Sequence, residues 1–400
     1  MRIYGLILQL YVYEQMVYYL ELSWLYDAKF TYNYWKMTII GFRTAFALLI
    51  VMIASLAVAS CQTGAPPYSP PPTSSPVINE KVITPADSPK LPPRGFYMGL
   101  LPTPAEEQDF AEAYQEASKF SEFIPVWGRP TPFYKMSEEL SGNWGQIFLK
   151  QYIRGNNMFP IIHMSFIGTG MTLETPLNTT RATLDNLEWR NSYKQAALDI
   201  AEAVKPLYLS LGNEVNRWYE QYGAKTGDPN GFQHYISLYD EIYKEVKYIS
   251  PQTKVFCTFA REIVAQNREA DLAVIEKFDD KKMDLLVFTS YPYSVRGINH
   301  PADIPNDYYA RALSYMPGKP FGFSELGWAA LEAFGSEEGQ ADFITQAANR
   351  LTLEQGIKLQ LFGWAWLSAL DNNDAVALIN RDGSHRLAYE AWQKLSVSGK

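Results

Sequence analysis

The spacing of hydrophobic positions changes character along this chain. From residue 95 onward, apolar runs too short for helices alternate with longer stretches whose apolar residues recur at helical spacing. The short runs, at 95–101, 122–127, 158–165, 206–211, 254–259, 284–290, 320–324 and 358–366, predict strands. Between and after them, helical patterns fall at 105–119, 135–154, 187–204, 232–249, 265–277, 307–315, 337–355 and 387–395. Strand and helix in strict alternation predict an α/β fold with a parallel sheet, and eight such units predict a closed (β/α)8 barrel, the TIM barrel. An open doubly wound sheet is the alternative. Against it, no glycine-rich phosphate-binding turn follows the first strand.

The first 94 residues read differently. Residues 1–36 are rich in Tyr, Trp and Leu without periodicity or caps, and are expected to be upstream sequence translated through a start-site error, with Met37 as the true start. Residues 37–60 give a short basic region, an apolar run and then Val58-Ala59-Ser60 directly before Cys61. This resembles a bacterial lipoprotein signal peptide, which implies that Cys61 is lipidated and becomes the first mature residue. A permanent transmembrane helix is the other reading, because 38–60 is just long enough to span a bilayer. Residues 61–94 are interrupted by Pro66-Pro67, Pro70-Pro71-Pro72, Pro76, Pro85, Pro89 and Pro92-Pro93. Such a segment is expected to act as an extended tether, leaving 95–400 as the barrel.

Composition narrows the function. A net charge of -8 argues against electrostatic binding of nucleic acid. With 10 Trp and 27 Tyr, the chain carries more flat amphipathic surface than a core requires, which suits ligands with flat apolar faces such as sugars. Only two cysteines occur, Cys61 and Cys257, so no disulfide framework is expected, and Cys257 reads as a small buried hydrophobe inside the fifth strand. There is no His-Glu-x-x-His, no cysteine pair at metal spacing and no Gly-x-Ser-x-Gly, and the four histidines are scattered. No cofactor and no metal are therefore expected. Asp371-Asn-Asn-Asp374 reads as a polar turn in preference to a calcium loop.

Two glutamates stand where apolar runs stop. Leu209-Ser-Leu-Gly-Asn-Glu-Val215 delivers Glu214 to the end of the fourth strand, and Phe321-Gly-Phe-Ser-Glu-Leu-Gly-Trp328 delivers Glu325 to the end of the seventh. Barrel active sites lie at the C-terminal ends of strands. A carboxylate pair there is the minimum equipment for glycoside hydrolysis. At about 5 Å the second carboxylate acts as nucleophile with retention, whereas at roughly 6.5 to 9.5 Å a water fits between the two and the product inverts. Taken singly, either glutamate reads as a rim salt bridge or a helix N-terminal charge.

Asn213-Glu214 after the fourth strand, Glu325 after the seventh, Tyr291 after the sixth and tryptophan on the eighth resemble the clan A (β/α)8 retaining glycoside hydrolases over the whole barrel. The resemblance implies Glu214 as acid/base, Glu325 as nucleophile and Asn213 on the sugar 2-hydroxyl. Within the clan, Ile162-His-Met-Ser165, the Glu214 motif and Phe288-Thr-Ser-Tyr-Pro-Tyr293 are most similar to endo-galactanases that cut arabinogalactan. Two departures stand out. Pro125 precedes Val126-Trp127 where those enzymes carry an arginine, the nearest here being Arg129, and Phe166 replaces an acidic residue.

Supporting roles follow from position. His163 closes the third strand, where it could bond a sugar or a carboxylate, or be a core residue. Tyr291 stands where its phenol could donate to Glu325, and Tyr293 is a rim contact or packing. Trp364 and Trp366 share one strand face by simple alternation, so at least one should form a stacking floor. Trp127, Trp218 and Trp328 fall at or just past strand ends and are candidate subsite walls, with Arg129 and Asp371 as hydroxyl binders. The expectation is a monomeric, surface-anchored lipoprotein of the bacterial cell envelope, held to the membrane by its lipid and acting on a β-linked carbohydrate. A carbohydrate-binding lipoprotein that kept the barrel and lost turnover is the alternative.

Overall fold

The computed structural model describes residues 82–398 apart from 129–130, 178, 180 and 352–356. The leader, Cys61 and most of the expected tether lie outside the described residues, as does Arg129.

Eight parallel strands close into a barrel. They are β1 Tyr97–Leu101, β2 Phe123–Trp127, β3 Phe159–His163, β4 Tyr208–Ser210, β5, β6 Leu286–Ser290, β7 Phe321–Leu326 and β8 Leu359–Trp366. β5 is built in two halves. Lys254–Phe256 pairs with β4, Thr258–Ala260 pairs with β6, and the fully buried Cys257 stands between them. β1 pairs with both β2 and β8, which completes the ring.

The strands form because each is a continuous apolar run buried on both faces, one toward the barrel axis and one toward the helices. The helical layer is α1 Phe110–Ser118, α2 Phe133–Ser141, α3 Leu187–Val204, α4 Val215–Tyr222, α5 Phe232–Ile249, α6 Ala310–Leu313, α7 Ser336–Asn349 and α8 Leu387–Val397. Local chemistry sets several boundaries. Asp109 and Glu112 form a reciprocal capping box, so α1 starts well after residue 105. Gly142 is extended, which breaks the helix expected over 135–154 into Phe133–Ser141 and a second helical stretch that resumes at Asn143 and runs on to Asn156. The helix expected over 265–277 is instead a two-residue hairpin, Glu262–Ile263 with Arg268–Glu269, followed by a short 3-10 turn. α4 is a helix that the hydrophobic pattern did not predict.

Residues 82–94 are not free of the barrel. The Ile83 and Ala86 amides donate to the carbonyls of Ile249, the last residue of α5, and Lys205, just past α3, at 2.6 and 2.8 Å. Arg154 clamps Asp87 at 2.8 Å, and the Tyr97 hydroxyl donates to Pro89 O at 2.9 Å. These helix ends mark the face opposite the active-site end, so this stretch covers the bottom of the barrel, and the barrel unit begins by residue 82, ahead of the expected boundary at 95.

Two bulges control which way the site strands face. On β7, Phe323 pairs with Phe288 and Glu325 with Thr289, so Ser324 is an extra residue. Phe321 and Phe323 pack on each other and on Tyr309 beside α6, in the outer layer. Unbroken alternation would send Glu325 to that same outer layer. The extra Ser324 reverses the sense, and Glu325 turns inward. On β8, Leu100 pairs with Trp364 and Leu101 with Trp366, which makes Ala365 the extra residue. Trp364 and Trp366 therefore do not share a face. Trp364 is fully buried against Phe343 of α7 and Trp392 of α8, with its indole N–H donating to Val376 O at 3.0 Å. It is barrel-to-helix filling, not a stacking floor.

Candidate active site

Glu214 sits at the turn from β4 into α4 with φ 50 and ψ 44, a left-handed conformation that costs a non-glycine residue about 1 kcal/mol. Its surroundings hold it there. Two buried phenols, Tyr193 on α3 and Tyr235 on α5, both donate to the Leu211 carbonyl at 2.9 and 3.0 Å. Gly212 leaves room for Tyr235, whose hydroxyl would stand 2.4 Å from a Cβ at that position. Thr258, from the second half of β5, accepts the Glu214 amide at 2.9 Å and donates its hydroxyl to Asn213 Oδ1 at 2.6 Å. That leaves the Asn213 amide as the group with hydrogens to offer a substrate hydroxyl.

The Glu214 carboxylate receives the Thr289 hydroxyl on Oε1 at 2.7 Å and the Arg217 guanidinium on Oε2 at 2.6 Å. Glu325 is 7% exposed, and its Oε1 accepts the phenol of Tyr291. A side chain at position 327 would stand 2.5 Å from the Tyr291 ring, so Gly327 is what lets the phenol lie against Glu325. Thr289 is also the residue opposite Glu325 in the β6–β7 register. The carboxylates delivered by β4 and β7 are thus tied to one short segment, Thr289 to Tyr291, at the end of β6.

The other expected site residues divide. Trp366 leaves the helix layer through the bulge, and its indole N–H donates to Asp374 Oδ2 at 2.5 Å. Tyr293 is half-buried against Tyr291, Trp328 and Phe334, a packing position. Trp218 and Trp328 are fully buried, and their indoles donate to the carbonyls of Asn230 at 2.8 Å and Phe334 at 2.9 Å. Neither walls a subsite, because both rings are fully buried, Trp218 on α4 and Trp328 just past β7. Asp371 accepts the Asn373 amide at 2.7 Å, and Asp374 accepts those of Leu370 and Val376, so this stretch is a self-bonded turn.

His163 hydrogen-bonds neither glutamate. It is fully buried, stacked on Trp127 with centroids 4.2 Å apart, and neither of its ring nitrogens nor the Trp127 indole N–H has a hydrogen-bond partner. Burial pushes its pKa down to about 3, so the ring is neutral. Among the described residues, no cluster of three or more His, Cys, Asp or Glu is placed to hold a metal ion.

Four residues that the sequence did not single out shape the site: Thr258, Thr289, Arg217 and Glu262. The threonines carried a signal, hydroxyls near the C-terminal ends of otherwise apolar strands, Thr258 alone and Thr289 beside Ser290. Arg217 lies one helical turn beyond Glu214 and could have been read as its partner. Glu262 had no local signal.

No family model matches this chain, and no curated protein matches its sequence. Solved structures do match in fold. A GH5_18 from Streptomyces cattleya in complex with GlcNAc superposes with TM-score 0.54 at 14% identity, covering 76% of this chain and 80% of that one. Beta-glycosidase BGL167 gives 0.54 at 12%, with 77% and 96% covered. Native xylanase 10B from Thermotoga maritima gives 0.50 at 13%, with 76% and 95% covered. At these identities the likeness shows the fold, a (β/α)8 barrel of the kind found in clan A glycoside hydrolases.

Proposed function

We propose that this protein is a retaining glycoside hydrolase acting on a β-linked poly- or oligosaccharide, with Glu325 as nucleophile and Glu214 as acid/base. The observation that carries the reading is the convergence of the two strand-end carboxylates on Thr289 and Tyr291. In the first step a Glu325 oxygen attacks the anomeric carbon as the glycosidic C–O bond breaks, and the leaving oxygen takes the proton of Glu214. In the second step the Glu214 carboxylate takes a proton from water, whose oxygen attacks the same carbon and releases Glu325. Two inversions give retention. Arg217 pairs with a carboxylate, so its contact suits the second step, and the pair has to open before Glu214 delivers a proton.

The test is a panel of aryl β-glycosides and β-glycans, a galactan among them, with the product anomer read by NMR before mutarotation. Retained β-product is expected, and an α-product at first appearance rejects the double displacement. Absence of turnover together with binding to one glycan supports the second reading, a carbohydrate-binding barrel. That reading draws on the closed Arg217–Glu214 pair and on the buried Trp218 and Trp328, which leave fewer stacking surfaces than the sequence suggested.

We also propose a bacterial envelope location through lipidation of Cys61. Expression of the full chain in a bacterium supplied with radiolabelled palmitate should label it, and Cys61→Ser should lose the label. Equal labelling of both forms rejects the anchor.

A further inference from the structure

The segment that ties the two glutamates together is itself held from behind. Glu262, just past β5, accepts the Tyr291 amide on Oε2 at 2.6 Å, and on Oε1 it accepts the Ser290 hydroxyl at 2.9 Å and the Tyr308 hydroxyl at 2.6 Å. Its neighbour Arg261 donates its amide to Thr289 O at 2.9 Å. Arg261 and Glu262 together therefore hold all three residues of the segment. The Arg261 guanidinium lies over the Tyr308 ring at 3.8 Å and pairs with Glu269 at 2.8 Å, which fixes the dipeptide in turn. Glu262 is 4% exposed and lies behind Tyr291, so it is out of reach of a substrate.

We propose that Glu262 is a positioning residue for the reaction. By gripping Ser290 and the Tyr291 backbone, it sets where the Thr289 hydroxyl and the Tyr291 phenol stand, and through them the mutual placement of Glu214 and Glu325. This rests on the glycosidase reading above. The bonding explains what the position demands. The Tyr291 N–H can only donate, so it needs an oxygen, whereas the Ser290 and Tyr308 hydroxyls can turn to accept. Glutamine satisfies all three, with its carbonyl toward Tyr291 and its amide toward the hydroxyls. Alanine leaves the Tyr291 N–H without a partner and frees the segment.

The experiment uses an aryl β-glycoside that the wild type hydrolyses and reads kcat and KM separately for Glu262→Ala, Glu262→Gln, Tyr291→Phe and the Glu262→Ala/Tyr291→Phe double variant. Glu262→Ala is expected to lower kcat at least about 30-fold, roughly 2 kcal/mol of barrel-mouth alignment, with KM within about threefold. Glu262→Gln should recover kcat to within about threefold of wild type. In the Tyr291→Phe background the alanine change should cost much less than 30-fold, because the phenol it serves is gone. Should Glu262→Ala not fold, Ser290→Ala removes a single hold and should lower kcat about fivefold at unchanged KM. An equal cost of Glu262→Ala in both backgrounds, or an unchanged kcat in Ser290→Ala when that variant stands in, overturns the proposal while wild-type turnover keeps the glycosidase reading. A wild type without turnover overturns both.

Discussion

Glu325→Ala is expected to lower kcat on an activated aryl β-glycoside by at least about 10⁴-fold, and Glu214→Ala by at least about 10³-fold, with different signatures. The first variant lacks the atom that bonds the anomeric carbon, so it fails with every leaving group. The second fails unevenly. A nitrophenolate departs without a proton, so with such a substrate the glycosyl-enzyme still forms on Glu325. Its hydrolysis then stalls for want of a base on water, which gives a burst of one equivalent and a lowered KM. Added azide, a nucleophile that needs no base, should speed Glu214→Ala and yield a β-glycosyl azide. Neither signature belongs to a protein that only binds sugars. If both variants keep more than a tenth of wild-type kcat, the assignment of these two glutamates is wrong. Thermal stability serves as the control, because Glu214 and Glu325 each accept one of the hydroxyls at the end of β6, and their loss leaves those hydroxyls exposed at the site.

The sequence carried the strand count because every strand is a short apolar run bounded by polar turns, a signal that survives without tertiary information. It also carried the two strand-end glutamates, since a carboxylate ending such a run is conspicuous. What it could not carry was facing. Ser324 and Ala365 are extra residues only in relation to the strands beside them, so nothing local marks them as bulges. Ordinary alternation would have placed Trp364 and Trp366 together and turned Glu325 toward the helices. Trp218 and Trp328 misled for a related reason. A tryptophan just past a strand end can fold back under its own loop, and both do, donating to the carbonyls of Asn230 and Phe334. Glu262 escaped notice because its role lies in contacts with residues 28 to 46 positions away.

The pH dependence of stability is expected to be set by two buried groups that oppose each other. His163 has its pKa pushed from 6.5 down to about 3 by burial among Trp127, Phe256 and the strand backbones. In the unfolded chain it takes a proton near pH 6.5 that the folded chain refuses. Its contribution is therefore complete above pH 6.5 and is lost at about 1.4 kcal/mol per pH unit as pH falls, reaching about 5 kcal/mol at pH 3. Glu262 runs the other way. Burial raises its pKa from 4.5 to about 7, against the pull of Arg261 and the three donors it accepts. The folded chain binds that proton more tightly, so this contribution is complete below pH 4.5 and is lost as pH rises toward 7. Between about pH 4.5 and 6.5 the two slopes cancel, and only below 4.5 does the His163 loss stand alone. Chemical denaturation at half-unit steps from pH 4 to 7.5 separates them. His163→Phe, which keeps an aromatic plane against Trp127, should gain stability as pH falls from 6.5 to 4.5, whereas Glu262→Gln should lose it over the same range, each by up to about 3 kcal/mol relative to its own value at pH 6.5. Other carboxylates titrate alike in both variants and drop out of the difference. Parallel curves for the two variants would mean that neither burial governs the proton balance, and that the level region, if present, has another origin.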